Sequence, residues 1–597
     1  MRALRPLRAR EGVAHGVAVT RVERFLPGVR VARSYRRAWL GRDLLAGIGL
    51  TALLVPQGMA YAELAGLPPV TGLYTTIAAL FAYAVFGPSR VLVLGPDSAL
   101  GPLIAAALVP LLGGNDPSRA IALAAMLALL MGALCIVAGF ARLGVLTELL
   151  SKPVRIGFLN GIALVVLVGQ LPHLFGFSTD AQGLVDEARA FVEGVVDGQT
   201  VPAALLVGVG SLAAIAVCRW IGPGVPGVLV AVVGAGAATA LFDLTAHGVP
   251  VVGAIPSGFP SPSIPDVGFD DITSLFLAAA GMAFVMLADT ATLSRTLAAR
   301  RGEHVDMNQE IIAVGAANMA AGLFQGFPVS ASASRTAVAE STGARTQLTG
   351  VVGAVAVLVV LFAATGLGQN LPVAALGAVI IAAAWTLLDV RSMVWLWRVR
   401  RSEFLLCLGA LLGVAVLGVL PGVAVAIALS VANFVRRAWR PYDAVLGRVP
   451  GRKGYHDIDR HPEAVQIPGL VLYRFDAPLF FANAEAFASR LDQAMAARDD
   501  PIRWVIVAAE PMTDVDTSAA DTLREMLDSF SSRGIALAFA ELKGPVKDRL
   551  RDYDLYERIG DGRFFPTLGT AIDGYLRETG QTWIDGSDRH PDHPDAG

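Results

Sequence analysis

Residues 287–292 read LADTAT inside one apolar run, and residues 326–336 read GFPVSASASRT after a second apolar run. The first stretch places a lone carboxylate, Asp289, in a segment of membrane-spanning character. The second breaks at Gly-Phe-Pro and continues as a short hydroxyl-rich piece, with Arg335 in its first turns, that is too short to cross a bilayer. Ionisable groups and interrupted helices within a membrane indicate an ion or substrate site. A buried structural pair of Asp289 and Arg335 is the alternative.

The composition is that of an integral membrane protein, since 54% of the 597 residues are hydrophobic and 16% are charged. The charge is uneven, because 45 of the 98 charged residues fall within the last 156 positions. A long membrane part therefore precedes a soluble domain of ordinary charge density. The net charge of −2 argues against a nucleic-acid partner. Three cysteines, each isolated in an apolar segment, predict neither a disulfide framework nor a metal site, and no cofactor is expected.

Apolar segments of about bilayer length recur along the membrane part. Two shorter pieces, after Pro96 and after Pro328, bring the predicted number of membrane segments to fourteen. Alternate turns are almost free of Arg and Lys while the opposite turns carry many, which is the positive-inside pattern and predicts that both termini are cytoplasmic. The longer segments are predicted at residues 44–64, 71–86, 118–140, 155–175, 201–220, 225–243, 272–294, 308–325, 346–366, 372–388, 403–420 and 421–436.

Two of these segments open in a similar way, which indicates an internal repeat. Segment three begins with GPDSAL (residues 95–100) after an extended VLVL, and segment ten begins with FPVSAS (residues 327–332). They lie seven segments apart, and because seven is odd the second copy enters the membrane from the opposite side. Paired interrupted segments in inverted repeats mark the midplane site of many secondary transporters. Extended backbone is tolerated there only where protein covers it or where it lines a cavity.

The pattern changes near Arg440 to that of a small α/β domain. Buried strands are predicted at residues 471–475, 504–508 and 535–540, alternating with helices near 483–497, 518–532, 544–553 and 568–578. The predicted domains are a cytoplasmic segment at 1–42, a transmembrane transport domain at 43–438, a cytoplasmic α/β domain at 439–580 and a disordered tail at 581–597.

Several motifs together resemble the sulfate permease (SulP) family. They are PQGMAYA (56–62), LAGLPP (64–69), GLY (72–74), GPSR (87–90), NQE (308–310) and SRT (334–336). In the α/β domain, DVDTSA (514–519) resembles the STAS domain of the same family. The resemblance covers about residues 35–580. It implies fourteen segments in a 7+7 inverted repeat, a core domain that moves elevator-like against a gate domain, a homodimer in the plasma membrane, and anion transport rather than enzymatic activity.

The resemblance also implies which residues face the substrate. They come from segments one, three and ten: Gln57, Tyr61, Asp97, Ser98, Ala99, Ser332, Ala333, Ser334 and Arg335. For Gln57, the alternative is a polar group that satisfies broken helix backbone near Pro56. In soluble STAS relatives the hydroxyl residue after the Asp is phosphorylated, which makes Asp516, Thr517 and Ser518 regulatory candidates. The alternative is that Asp516 only caps the following helix.

A charge tally predicts coupling to a cation. Two half-helix N-termini contribute about +0.5 each and Arg335 contributes +1, against −2 from Asp97 and Asp289. The empty site is then near neutral, and an added anion leaves uncompensated negative charge in a low dielectric. A proton on an Asp, or Na⁺ beside it, removes that cost. Asp97 has an alternative role as the N-cap of the half-helix.

Asp289 and Thr292 are the predicted coupling-ion residues. In sodium-coupled bicarbonate members of the family a hydroxyl residue stands one turn after the acid of segment eight, where this chain has Leu293, and many animal members lack the acid and exchange anions. We therefore expect a proton-coupled transporter of sulfate, with bicarbonate or dicarboxylates as other substrates. The alternatives are a sodium-coupled bicarbonate symporter, an anion exchanger and, in a different class, a membrane signalling scaffold whose STAS domain carries the function.

Overall fold

The apolar segments of the sequence fold as helices with nearly the predicted bounds. The computed structural model describes residues 26–583, apart from residues 115, 145–150, 180, 182, 223–225, 255, 257 and 364–365. The predicted tail from residue 584 and the first 25 residues of the predicted N-terminal segment lie outside this range. Two compact units meet between Ser430 and Val431, and we refer to them as the membrane unit and the α/β unit. The predicted domain boundaries stay a prediction.

Each of the fourteen predicted membrane segments corresponds to a described helix. In the numbering given below, these helices are α2–α6, α9–α15, α17 and α18. The first half contains α1 (Pro27–Arg33), α2 (Leu40–Leu64), α3 (Pro69–Phe86), β1 (Leu94–Gly95), α4 (Gly101–Leu112), α5 (Pro117–Phe140), α6 (Lys152–Gly169), α7 (Leu171–Phe175), α8 (Leu184–Val196), α9 (Pro202–Ile221) and α10 (Gly227–Phe242). The second half contains α11 (Phe269–Arg301), α12 (Met307–Leu323), β2 (Ser330–Ala331), α13 (Ala333–Ser341), α14 (Leu348–Ala363), α15 (Val373–Leu387), α16 (Val390–Val399), α17 (Arg401–Leu417) and α18 (Val419–Trp439). Short 3₁₀ turns lie at Arg37–Trp39 and Leu367–Asn370.

Three helical features differ from the sequence prediction. Helix α11 continues past its apolar stretch to Arg301 and stops at Gly302, whose φ of 64° is left-handed. The amphipathic helices α8 and α16 occupy stretches that we predicted as turns, because their apolar positions recur at helical spacing within short, polar segments. Each departure concerns residues whose helical state depends on packing and capping rather than on an apolar run.

The helices of the membrane unit pack as two groups. In the core group, α12 packs on α5 and α3, α14 packs on α2 and α3, and α11 packs on α5. In the gate group, α17 packs on α6, and α9 packs on α10 and α15. Glycines allow the closest crossings: a Cβ on Gly72 would lie 1.8 Å from the carbonyl oxygen of Gly58, and a Cβ on Gly157 would lie 1.9 Å from that of Cys407. Such small-residue crossings are how membrane helices approach closely.

Asp43 joins the first turn of α2 to the start of α14. Its fully buried carboxylate accepts hydrogen bonds from the backbone N–H groups of Arg345 (2.7 Å) and Thr346 (3.1 Å). It also accepts the hydroxyl protons of Thr346 (2.7 Å), Thr349 (3.1 Å) and Tyr35 (3.1 Å). The carboxylate therefore satisfies otherwise unpaired donors just before a membrane helix.

We expect Asp43→Ala to destabilise the membrane unit by about 2 kcal/mol or more, since several charge-assisted hydrogen bonds to buried donors are lost together. Asp116→Ala is the control, because Asp116 caps α5 at an exposed position and its loss should destabilise the unit much less. Thermal unfolding in detergent compares the two variants. Equal losses would show that the buried Asp43 network contributes no more than an ordinary cap.

The α/β unit is built on a six-stranded sheet with strand order β4-β3-β5-β6-β7-β8. Strands β5 to β8 are parallel, and β3 pairs antiparallel with β4 and β5. The three predicted strands and four predicted helices are present, and the strands β3, β4 and β8 were missed. The elements are β3 (Asp443–Arg448), β4 (Tyr455–Asp457), β5 (Leu470–Phe475), α19 (Ala484–Ala496), β6 (Trp504–Ala508), α20 (Thr517–Ser532), β7 (Ala536–Ala540), α21 (Gly544–Asp552), α22 (Tyr556–Ile559), a 3₁₀ turn (Asp561–Arg563), β8 (Phe564–Phe565) and α23 (Leu568–Thr579).

Candidate functional site

The two extended stretches that precede the half-helices pair with each other. Strands β1 and β2 are antiparallel, with Leu94 opposite Ala331 and Gly95 opposite Ser330. The N–H of Ser332 donates to the carbonyl of Val93 at 3.0 Å, and the N–H of Val93 donates to a threonine hydroxyl of α13 at 3.1 Å. Extended backbone inside the membrane unit is thus hydrogen-bonded within the protein, as a membrane requires. The pairing brings the beginnings of α4 and α13 together.

At the beginning of each half-helix a side-chain oxygen accepts a backbone N–H. Asp97 Oδ1 accepts the N–H of Ala99 at 2.9 Å. Ser332 Oγ accepts the N–H of Arg335 at 3.4 Å and lies 3.2 Å from the hydroxyl of Ser334. This Asp97 contact lies in the turn before α4, which begins at Gly101 after a residue without a side-chain cap, so the capping role of Asp97 stays a prediction. Asp97 also lines the cavity described next. The remaining N–H groups at these two ends supply partial positive charge.

A cavity of about 670 Å³ lies at this junction. Its walls come from the core helices α2 and α11 and from α6, α9, α10 and α15 on the other side. Both predicted coupling-ion residues line it, as do eight of the nine predicted substrate residues, with Arg335 as the exception. The lining residues that we predicted are Gln57, Tyr61, Asp97, Ser98, Ala99, Asp289, Thr292, Ser332, Ala333 and Ser334.

Gln57 lies in an unbroken helix, since α2 runs through Pro56 from Leu40 to Leu64. Its Oε1 atom is buried and has no hydrogen-bond partner among the described residues. An amide that repaired broken backbone would have such a partner. The geometry therefore leaves this side chain available to the cavity that it lines.

Arg335 is fully buried but is not a lining residue. Its guanidinium packs against Gly95, where an added Cβ would lie 3.2 Å from Nη1. In the described part of the chain none of its three guanidinium nitrogens has a hydrogen-bond partner. Glu340 pairs with Arg301 at 3.2 Å, and Asp289 pairs with Arg155 at 3.8 Å. The proposed structural pair of Asp289 and Arg335 is therefore not formed.

Arg155 and Arg219 are charged cavity residues that were not among the predicted site residues, and Arg155 makes the closer contacts. It lies in the first turn of α6, and its Nη1 donates to Thr292 Oγ1 at 2.7 Å while lying 3.8 Å from Asp289 Oδ1. The Thr292 hydroxyl in turn donates to the carbonyl of Ala288 at 2.8 Å. The positive-inside pattern counts Arg155 and Arg219 among the charges of the cytoplasmic turns. The sequence did contain a sign of their role, because Arg155 and Arg219 fall within the predicted apolar segments 155–175 and 201–220 rather than between segments.

These two arginines change the charge tally. Arg155 and Arg219 line the cavity with Asp97 and Asp289, and Arg335 lies beside Gly95. The side chains then sum to +1, before the two half-helix N-termini add about +1 more. The sum of charges predicted from the sequence, which gave a near-neutral site and was the reason to expect a coupled cation, was therefore incomplete. In this arrangement a monovalent or divalent anion meets net positive charge.

Glu310, in the NQE motif, is a second buried carboxylate of the membrane unit. Tyr83 donates to it, and so do the hydroxyls of Ser89 (2.7 Å) and Ser294 (2.8 Å). It does not line the cavity. These hydrogen bonds tie α3, α11 and α12 together, so we read the motif as part of the core group's packing.

In the α/β unit, Asp516 uses both carboxylate oxygens structurally. Oδ1 accepts the N–H of Ala519 at 2.8 Å, which caps α20, and Oδ2 accepts the N–H of Phe481 at 2.9 Å. Thr517 and Ser518 are exposed. Capping is thus the role with visible contacts, and the regulatory role of the three residues stays a prediction.

We expect Asp516→Ala to lower the stability of the α/β unit by about 1–2 kcal/mol, because a helix cap and a second backbone contact are lost. Thr517→Ala, at an exposed position, should change it by less than about 0.5 kcal/mol. Pulse proteolysis of the full-length protein, with cleavage inside the α/β unit as the readout, measures both. Equal effects of the two substitutions would contradict the capping role.

Comparison with known proteins agrees with this architecture. The family model "Sulfate permease family" matches residues 40–410, and that of the STAS domain matches residues 461–571. A "Probable sulfate transporter" of Mycobacterium tuberculosis strain H37Rv is 43% identical over 553 residues, covering 93% of this chain and 98% of that protein. "Sulfate transporter 4.1, chloroplastic" of Arabidopsis thaliana is 31% identical over 570 residues, covering 92% of this chain and 82% of that protein. The solved structure "The overall structure of SLC26A9" aligns with a TM-score of 0.86 over 94% of both chains, at 22% identity.

The first family model spans more than half of the chain, and the two relatives extend across nearly all of it. The membrane helices and the helix-covered sheet of the α/β unit fit the same assignment. The chain belongs to the sulfate permease family, integral membrane transporters that are not enzymes, and carries a STAS domain after its membrane unit.

Proposed function

We propose that this protein is a proton-coupled secondary transporter whose substrate is sulfate. The observation that carries the proposal is the cavity at the meeting point of the two half-helix beginnings, with positive charge from Arg155, Arg219 and Arg335 around it. Helix N-termini and guanidinium groups together favour a small oxyanion. The two relatives are named as sulfate transporters, which favours sulfate over bicarbonate or a dicarboxylate.

A proton fits the coupling role better than Na⁺. The Asp289 carboxylate and the Thr292 hydroxyl, which would be the ligands of a sodium ion, both face the Arg155 guanidinium. A second cation beside that guanidinium is disfavoured by charge repulsion. Leu293, at the position where sodium-coupled relatives carry a hydroxyl residue, offers no replacement ligand. Sodium-coupled bicarbonate symport is therefore the second candidate, and anion exchange without a coupled cation the third.

Transport in this proposal follows an elevator-like movement of the core group against the gate group. The Arg-rich helix ends around the cavity belong to turns that the positive-inside pattern assigns to the cytoplasm, so we place this cavity on the cytoplasmic side. The protein then lies in the plasma membrane with both termini inside and works as a homodimer. The predicted transport domain at 43–438 carries the substrate site, and the STAS domain at 439–580 is cytoplasmic.

Uptake of labelled sulfate into proteoliposomes, with unlabelled bicarbonate and dicarboxylates as competitors, tests the substrate. We expect saturable sulfate uptake that unlabelled sulfate inhibits more strongly than the other anions. Stronger inhibition by bicarbonate would move the assignment to that anion. Failure to take up any of these anions, with a correctly folded protein, would favour the signalling-scaffold alternative.

A further inference from the structure

The contact between Arg155 and Asp289 joins the two helix groups of the membrane unit. Arg155 lies on α6 of the gate group, and Asp289 lies on α11 of the core group. Helix α13 packs on α2 and so belongs to the core group. The ion pairs Arg301–Glu340 and Arg119–Asp271, in contrast, each connect elements of this group. The Arg155–Asp289 pair is partly screened, since the side chains are 26% and 31% exposed. Because the two side chains belong to different helix groups, a movement of one group relative to the other changes the distance between them.

The separation of the pair is sensitive to such a movement. At 3.8 Å the two charges are at the outer limit of an ion pair, and a displacement of a few ångström removes the contact. Of the charged residues that line the described cavity, Asp97 alone then remains on the same group as Asp289, because Arg219 belongs to α9 of the gate group. Arg335 lies beside Gly95. Tyr61 is the remaining titratable group of the cavity wall. The tally of the core group alone returns to near neutral, as it was before Arg155 and Arg219 were counted.

We infer that Arg155 is the residue that releases the coupled proton from Asp289. When the core group carries its anion and a protonated Asp289 to the position seen here, the Arg155 guanidinium meets the carboxyl group. The O–H bond of Asp289 breaks, the proton passes to water in the cavity, and the carboxylate pairs with Arg155 and stays close to Thr292. When the groups move apart, the carboxylate loses its counter-charge and binds a proton again from the other side. This inference rests on the proposed proton coupling.

The test uses full-length protein in proteoliposomes and two transport modes. Uphill sulfate uptake driven by a pH gradient needs proton binding and release in every cycle, whereas sulfate counterflow at equal pH on both sides does not need net proton release. In Arg155→Gln we expect pH-driven accumulation to fall by about tenfold for each pH unit of the gradient, since one coupled proton supports about that ratio. Counterflow should persist. Arg155→Lys, which keeps the charge, should retain part of the pH-driven uptake.

Arg301→Gln is the matched control, because it removes an arginine from an ion pair of similar exposure that lies within the core group and away from the cavity. It should keep both transport modes. Undiminished pH-driven uptake in Arg155→Gln would refute the inference and leave the proposed function in place. Loss of counterflow in a folded Arg155→Gln protein would also refute it, since Arg155 would then serve anion passage itself. Absence of pH-driven uptake in the wild type would refute the proposed coupling and the inference together.

Discussion

Arg335→Ala is expected to weaken sulfate binding by about 30-fold or more, which corresponds to a loss of roughly 2–5 kcal/mol. The guanidinium is fully buried and has no hydrogen-bond partner among the described residues. A buried charge without a partner is costly. An anion at the beginnings of α4 and α13 supplies the compensating charge, so the affinity should depend strongly on this residue although it does not line the cavity.

Arg335→Lys should fall between the wild type and Arg335→Ala, because it keeps the charge and loses the planar fork of donors. It should be nearer to wild type for a small monovalent anion than for sulfate. The dissociation constant and the thermal stability are measured on the same preparation, with Arg301→Ala as a control for the loss of an arginine that already has a partner. A dissociation constant that does not change in Arg335→Ala would leave the helix N-termini as the only anion-holding groups.

Asp289→Asn is expected to abolish the effect of a pH gradient on sulfate uptake. The amide has the size of the carboxyl group but cannot take up and release a proton, so accumulation should fall to the level seen without a gradient. For a one-unit gradient that loss is about tenfold per coupled proton. Uptake with and without the gradient, at clamped membrane potential, measures it. Asp270→Asn, an exposed acid in the first turn of the same helix, is the control and should behave as wild type.

Unchanged pH dependence in Asp289→Asn would contradict the role of Asp289 in proton coupling. Asp97 is then the next carboxylate to test, since it lines the same cavity. Substitution of Asp97 also removes the hydrogen bond that its carboxylate accepts from the N–H of Ala99. The effect of the substitution on transport therefore has to be separated from its effect on stability.

The sequence predicted the membrane helices well because their signal is local. An apolar run of bilayer length and the charge of its flanking turns are both visible without knowledge of tertiary packing. The two interrupted segments were equally visible, since Pro96 and Pro328 follow extended residues that cannot belong to a continuous helix. Their mutual pairing through Leu94 and Ala331 matches the inverted repeat that the sequence predicted.

The electrostatics of the site were not predictable in the same way. Arg155 is 134 positions before Asp289 in the chain, and only the packing of α6 beside α11 brings the two side chains together. Positive charges near segment ends are usually explained by the positive-inside rule, which concerns membrane orientation. For this reason Arg155 and Arg219 were not recognised as site residues. Arg335 was recognised as a site residue, but its orientation toward Gly95 depends on the pairing of β1 and β2.

Sulfate accumulation by wild-type proteoliposomes tests whether a proton gradient drives sulfate transport. The vesicles contain an alkaline buffer, the outside medium is acidic and free of Na⁺, and the membrane potential is clamped. We predict that labelled sulfate accumulates above its outside concentration and that a protonophore abolishes the excess. Proton coupling would be contradicted if sulfate only equilibrates under these conditions. It would also be contradicted if sulfate accumulates only when a Na⁺ gradient replaces the pH gradient.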